Sequence, residues 1–173
     1  MEIIKLVLPN KEFKKEIEAY KEDFIINNDS MDGTAGLQNV DDLDEWFAAL
    51  RDNASEDTVR PGLVPASTYL AVRISDGQVV GMIDIRHRLN DYLLKFGGHI
   101  GYSVRKSERR KGYATEMLKL ALEKCKDINI DRILITCNKS NIGSAKTIIS
   151  NGGVLENEIY DSGKITQRYW IIY

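Results

Sequence analysis

Between Gly101 and Ala114 the chain reads Gly-Tyr-Ser-Val-Arg-Lys-Ser-Glu-Arg-Arg-Lys-Gly-Tyr-Ala. A strand-like run ends at Val104, a short polar turn follows, and a helical pattern begins near Arg110. The first N–H groups of a helix have no partner within it, and the helix dipole favours negative charge at that end. Such a junction can cradle a phosphate. Gly112 removes the Cβ that would hold a ligand off the backbone. Arg109, Arg110 and Lys111 add positive charge. A basic run alone is ordinarily a solvated face. A glycine placed between a buried strand and an amphipathic helix makes phosphate binding the stronger reading. Two common phosphate loops are absent. The only Gly-Lys pair, Gly163-Lys164, sits in a turn signal rather than in G-x-x-x-x-G-K-[ST]. The dinucleotide fingerprint G-x-G-x-x-G is missing as well.

The elements that must hold this junction are legible from periodicity. Glu2–Leu8 reads as a strand closed by Pro9-Asn10. Lys11–Ile26 has helical spacing through Phe13, Ile17, Tyr20 and Phe24. Residues 27–39 are a polar loop. Asp41–Leu50 reads as a second helix, with Asp41 or Asp42 as its cap and Leu43, Trp46, Phe47 and Leu50 on one face. A loop over Ala54–Pro65 leads to strands at Thr68–Ile74 and Gln78–Arg86, joined through Asp76-Gly77 as a hairpin. Arg88–Phe96 is a connection, and Gly98–Val104 a strand. Gly112–Lys126 is a helix with Met117, Leu118, Ala121, Leu122 and Cys125 in a stripe. Arg132–Cys137 is a strand and Ser140–Ser150 a helix ended by Asn151-Gly152-Gly153. Val154–Tyr160 and Ile165–Tyr173 are the last strands. The order predicts an α/β (α+β) domain with a single mixed, mostly antiparallel sheet flanked by helices.

Composition bounds the rest. The 173 residues suit one domain, spanning 1–173, with 43% hydrophobic and 29% charged residues. Lys and Arg total 24 against 26 Asp and Glu, a net charge of −2, so no global basic field exists to hold nucleic acid or an anionic membrane. No run approaches a membrane span, the start lacks a signal-peptide core, and the expected location is the cytoplasm. Cys125 and Cys137 form neither a disulfide framework nor a C-x-x-C zinc site. With only His87 and His99 as histidines, no metal is expected.

The R-x-x-G-x-A motif at Arg109, Gly112 and Ala114 resembles the signature Q/R-x-x-G-x-G/A of the GCN5-related N-acetyltransferase (GNAT) superfamily. Asn138-Lys139-Ser140-Asn141-Ile142-Gly143-Ser144, followed by Asn151-Gly152-Gly153, is similar to that superfamily's later N-x-x-S/A and glycine pattern. His99-Ile100-Gly101-Tyr102, preceded by Arg86-His87-Arg88-Leu89-Asn90, is similar to a bacterial subgroup. The element order matches over essentially the whole chain. The resemblance implies a GNAT fold in which the strand ending at Tyr102–Val104 splays from its neighbour. Its backbone would pair with the pantetheine arm of acetyl-CoA, the co-substrate. N–H groups from Arg110, Lys111, Gly112, Tyr113 and Ala114 would hold the pyrophosphate, Arg109 would add charge, and Asn141 and Ser144 would face the cofactor. Read without the resemblance, Asn141 and Ser144 are equally well helix caps.

The reaction so implied is attack of a neutral primary amine on the acetyl thioester. Many members place a tyrosine seven residues past the Asn as acid; here that position is Ile148. Tyr169 and Tyr160 are distant substitutes, and Cys137 reads as a core thiol. Members often carry a base on the strand before the motif. Here that strand offers His99, a neutral-range titrator that reads equally as a structural residue bonding the backbone and steadying a bent strand, with Asp84 on the preceding strand as a weaker candidate. Arg86 and Asn90 fall on the acceptor side. The resemblance implies that the first two helices and their loop shape the acceptor side; Asp29, Asp32, Asp41, Asp42, Asp44 and Glu45 there would favour a cationic amine, or equally form a solvated acidic loop with a helix cap. The expected partner is a small amine or peptide; many relatives dimerise through the last strands, where Tyr169–Ile172 supply apolar area. The alternative, prompted by Ile148, is a non-catalytic acyl-CoA sensor.

Overall fold

Apolar residues recurring every three or four positions decide which way each helix faces. In the computed structural model, which describes residues 2–172, Ile17, Tyr20 and Phe24 of α1 (Lys14–Ile26) are buried. So are Leu43, Trp46 and Phe47 of α2 (Leu43–Asn53), which Asp42 caps by accepting the Asp44 N–H at 2.8 Å. Helix α3 (Tyr113–Asp127) buries Tyr113, Met117, Leu118, Ala121, Leu122 and Cys125. Helix α4 (Ile142–Ser150) buries Thr147 and Ile148. The strands are β1 (Ile4–Val7), β2 (Ala66–Arg73), β3 (Val79–Arg86), β4 (Ile100–Val104), β5 (Arg132–Asn138), β6 (Val154–Asp161) and β7 (Lys164–Ile172). Met1, and Tyr173 at the end of the last expected strand, lie outside the described residues.

The mixed α/β fold is as expected, with one refinement. The sheet divides into two hydrogen-bonded antiparallel sheets, β1-β2-β3-β4 and β5-β7-β6. The division falls between β4 and β5, where splaying was expected. Two cores result. One joins α3 and α4 to both sheets through Met117, Ile83, Ile135 and Tyr169. The other joins α1 and α2 to β2 and β3 through Tyr20, Trp46, Leu70 and Met82. Truncating a fully buried side chain such as Leu118 to Ala would cost about 2–5 kcal/mol. The connection after β3 is a π-type turn at Leu93–Gly97.

Candidate active site

Backbone alternation creates the site. Arg86 N donates to His99 O (2.7 Å) and Arg105 N to Val80 O (3.0 Å). In an antiparallel ladder such partners alternate, so odd-numbered residues of this stretch face β3. The N–H and C=O groups of Ile100, Tyr102 and Val104 therefore point toward β5. On β5, Leu134 faces β4 and Lys139 N donates to Ile165 O on β7, so Leu134, Thr136 and Asn138 turn their backbone groups toward β4. No ladder joins these two edges among the described residues. They form a cleft closed at one end, where His99 N donates to Leu134 O at 2.7 Å.

At the open end lies the basic turn. Residues Lys106–Glu108 form one 3-10 turn, Arg110 has φ 61°, and Gly112 has φ 88° as the N-cap of α3. A left-handed backbone is strained for Arg110 and free for glycine. No side chain caps α3, so its first N–H groups are open to a ligand. By contrast, Asn141 Oδ1 caps α4 by accepting the Ser144 N–H at 3.0 Å. Of the expected cations, Lys111 pairs with Glu108 at 3.0 Å, and Glu108 also pairs with Arg73 at 2.9 Å. Arg109 is drawn back: Nε donates to Val104 O (2.9 Å) and the guanidinium pairs with Asp29. Arg110 is exposed. Arg109 thus braces the turn and the strand end, a role that its place in the motif does not reveal.

The candidate proton acceptors are engaged. Thr68 Oγ1 donates to Asp84 Oδ1 at 2.8 Å, and Arg86 Nε lies 3.2 Å from Asp84 Oδ2. Burial raises the Asp84 pKa against the lowering effects of Arg86 and Thr68. His99 Nδ1 accepts the Leu134 N–H at 3.0 Å. Burial, reinforced by the Arg86 charge, lowers the His99 pKa to about 4. With Nδ1 accepting, the neutral ring carries its proton on Nε2. The ring expected as a base has its lone pair committed to the backbone. Arg86 and Asn90, expected on the acceptor side, are also committed. Arg86 Nη1 donates to Gly97 O (3.1 Å), and Asn90 Oδ1 accepts from Leu93 N (2.9 Å).

On the helical side of the cleft, Tyr102 Oη lies 2.8 Å from Ser144 Oγ. Burial pushes the Tyr102 phenol up to about 12 and raises the Cys137 thiol. Ile148 is wholly buried. Tyr169 Oη donates to Gln167 (2.8 Å), and Tyr160 is exposed. Tyr102 and Ser144 thus meet across the cleft, as residues 42 apart in sequence.

Two walls flank the cleft, held by contacts that carry no sequence signal. The α1–α2 loop docks on β4, where Ser103 Oγ donates to Asp32 O (2.6 Å) and Gly33 packs on Gly101, while Tyr20 Oη bonds Ser103 (3.0 Å) from α1. The Leu93–Gly97 turn is held by Thr136 Oγ1, which donates to Phe96 O (2.6 Å), and by Arg168, which donates to Leu94 O (2.8 Å). Isolated Thr, Ser and Arg residues on strands give no sequence signal for such bonds. The acidic field is partly neutralised locally, since Asp29 pairs with Arg109 and Asp44 lies 3.7–3.8 Å from Lys11 and Lys14.

Comparison with known proteins gives this geometry a family. The Acetyltransferase (GNAT) domain model matches residues 14–154. An uncharacterised N-acetyltransferase of Bacillus subtilis (strain 168), YjdG, is 28% identical over 167 residues, 94% of this chain and 73% of the relative. Among solved structures, the ribosomal-protein-S5-alanine acetyltransferase of Vibrio fischeri superposes with TM-score 0.70 at 16% identity, covering 99% of this chain and 94% of that one. Mycobacterium smegmatis RimJ, solved with CoA-disulfide, gives TM-score 0.70 at 18% identity over 99% and 82%. The acetyltransferase yncA of Salmonella typhimurium, solved with acetyl-CoA, gives 0.65 at 11% over 98% and 93%. A divided sheet with an uncapped helix at its mouth and a family match across most of the chain lead to one conclusion: the protein belongs to the GNAT acetyltransferase family.

Proposed function

We propose that the protein is an acetyl-CoA-dependent N-acetyltransferase that moves an acetyl group to a primary amine by direct attack on the thioester. The observation that carries the proposal is the uncapped α3 N-terminus at the mouth of a cleft whose two strand edges share no ladder among the described residues. N–H groups from Arg110 to Ala114 suit a pyrophosphate. The Tyr102 backbone and the Val104 N–H, on an edge that shares no ladder with β5, suit an extended pantetheine arm, bound as an added strand. The presence of acetyl-CoA with yncA and of CoA-disulfide with RimJ supports the same assignment.

The amine nitrogen forms a bond to the acetyl carbon while the carbon–sulfur bond breaks and the pair leaves on sulfur. A backbone N–H of the free β4 edge, near Val104, stabilises the developing oxyanion. A thiol ionises near 8.5 and an amine above 10, so the thiolate departs with little assistance. The Tyr102–Ser144 hydroxyl pair is the donor assigned to it. Since the lone pair of His99 and both oxygens of Asp84 are engaged, water takes the proton from the amine. The acceptor is a small amine or a peptide N-terminus that enters between the α1–α2 loop and the Leu93–Gly97 turn.

The test is acetyl-CoA consumption against a panel of polyamines, aminoglycosides and peptides with free N-termini. Thiol release above the acceptor-free background, with acetylated product in the mass spectrum, is the expected result. CoA binding without thiol release from any acceptor would overturn catalysis in favour of a binding role.

A further inference from the structure

Where β4 meets β5, one residue satisfies both backbone groups of its neighbour. His99 N donates to Leu134 O at 2.7 Å, and Leu134 N donates to His99 Nδ1 at 3.0 Å. A crossover helix such as α3 returns the chain parallel to its first strand. In a regular parallel ladder, a residue whose carbonyl accepts from position 99 gives its N–H to the carbonyl of position 97. Here that carbonyl is turned away. Gly97 O and Gly98 O both accept from Arg86 Nη1, at 3.1 and 3.4 Å. Arg86 is in turn fixed by Asp84, and Asp84 by Thr68. Gly98 makes the turn possible: its φ is 65°, and a Cβ there would stand 2.6 Å from Leu134 O. Without the imidazole, the Leu134 N–H would be buried and unpaired, since Leu134 is wholly buried.

The carbonyl of His99 completes the joint by accepting from Arg86 N on β3. His99 is thus tied to β3 by its C=O and to β5 by its N–H and its ring. Immediately beyond it the two strands part. We infer that His99 is a positioning residue for the acetyl-CoA cleft: with Arg86 and Asp84 it pins the closed end of the β4–β5 splay, the ring standing in for the missing Gly97 carbonyl. In this role the imidazole moves no proton, and its effect on activity is transmitted through the spacing of the two free strand edges. Arg86 is the charged group facing the ring, with Asp84 behind it.

The joint stands on geometry, and only its consequence for affinity rests on the coenzyme reading. Asn is the conservative replacement, because its Oδ1 sits near the position of Nδ1 and can accept the same N–H. His99→Leu keeps bulk and removes the acceptor. Hydrogen exchange at the Leu134 amide reads the bond directly. It should speed up by about tenfold or more in His99→Leu and stay near wild type in His99→Asn. Titrated with CoA, His99→Leu should bind about tenfold more weakly, and His99→Asn within about threefold of wild type. Nitrogen NMR of the wild-type ring should show Nε2 protonated and Nδ1 bare at pH 7. Unchanged Leu134 exchange in a folded His99→Leu, or a ring protonated on Nδ1, would overturn the joint. If His99→Leu fails to fold, the wild-type ring spectrum and His99→Asn exchange still decide. If wild type fails to bind CoA while the exchange pattern holds, the coenzyme reading falls and the joint survives.

Discussion

An imidazole buried beside a guanidinium resists protonation, and His99 shows what that does to stability. The free ring takes a proton near pH 6.5, while the folded ring waits until about 4. Between these values the unfolded chain binds more protons, so stability contributed by the neutral ring is complete above about 6.5 and is lost as pH falls toward 4. The upper bound on that loss is about 3 kcal/mol. His99→Asn should flatten the decline, as read by urea unfolding at pH 7 and pH 4.5. A variant that loses stability as steeply as wild type would remove His99 as the source. The sequence supports two readings of this residue, base or structural prop, because a histidine on a strand carries no mark of which nitrogen is occupied. The choice depends on Leu134, 35 residues away, and on carbonyls that Arg86 diverts.

At the scale of elements, Asn141 was equally readable as a cofactor contact or a cap, and the structure places it as the cap of α4. Asn141→Ala should cost about 1 kcal/mol in thermal unfolding and change CoA affinity by less than about threefold. A large affinity loss with no stability loss would reverse that assignment. The loop between α1 and α2 offers a paired test. Gly33 and Gly36 share a left-handed backbone, at φ 71° and 77°, but an added Cβ meets Gly101 O at 2.2 Å at the first and open space at the second. Gly36→Ala should cost about 1 kcal/mol, and Gly33→Ala more than about 2. Equal melting temperatures for the two variants would contradict a docked loop. Most elements were legible because their apolar spacing is strong, as in Met117, Leu118, Ala121 and Leu122. The loop's docking was not, because it depends on two glycines 68 residues apart that have no side chain to signal it.

For the whole molecule, the cleft is an interruption in hydrogen bonding that a ligand would complete. Its phosphate end could be read from Gly112 and its basic neighbours, since a strand, a glycine turn and an amphipathic helix are local features. Its division into two sheets could not be read from pattern alone, because β4 and β5 each have apolar spacing that would suit a continuous sheet. The resemblance supplied only a splay within a single sheet; the structure divides it in two, and the pairing between His99 and Leu134 marks where the edges still meet. A ligand that bridges the two edges should stabilise the fold, by about 2.7 kcal/mol at a hundred times its dissociation constant. The most direct measurement is calorimetric titration of CoA into the wild-type protein and Gly112→Asp, with circular dichroism showing both folded. Asp tolerates the left-handed backbone of this position better than most residues, yet places a carboxylate where phosphates would sit. The predicted result is binding to wild type and an affinity at least about thirtyfold lower in Gly112→Asp, from charge repulsion of about 2 kcal/mol. A folded Gly112→Asp that binds CoA as tightly as wild type would contradict the account.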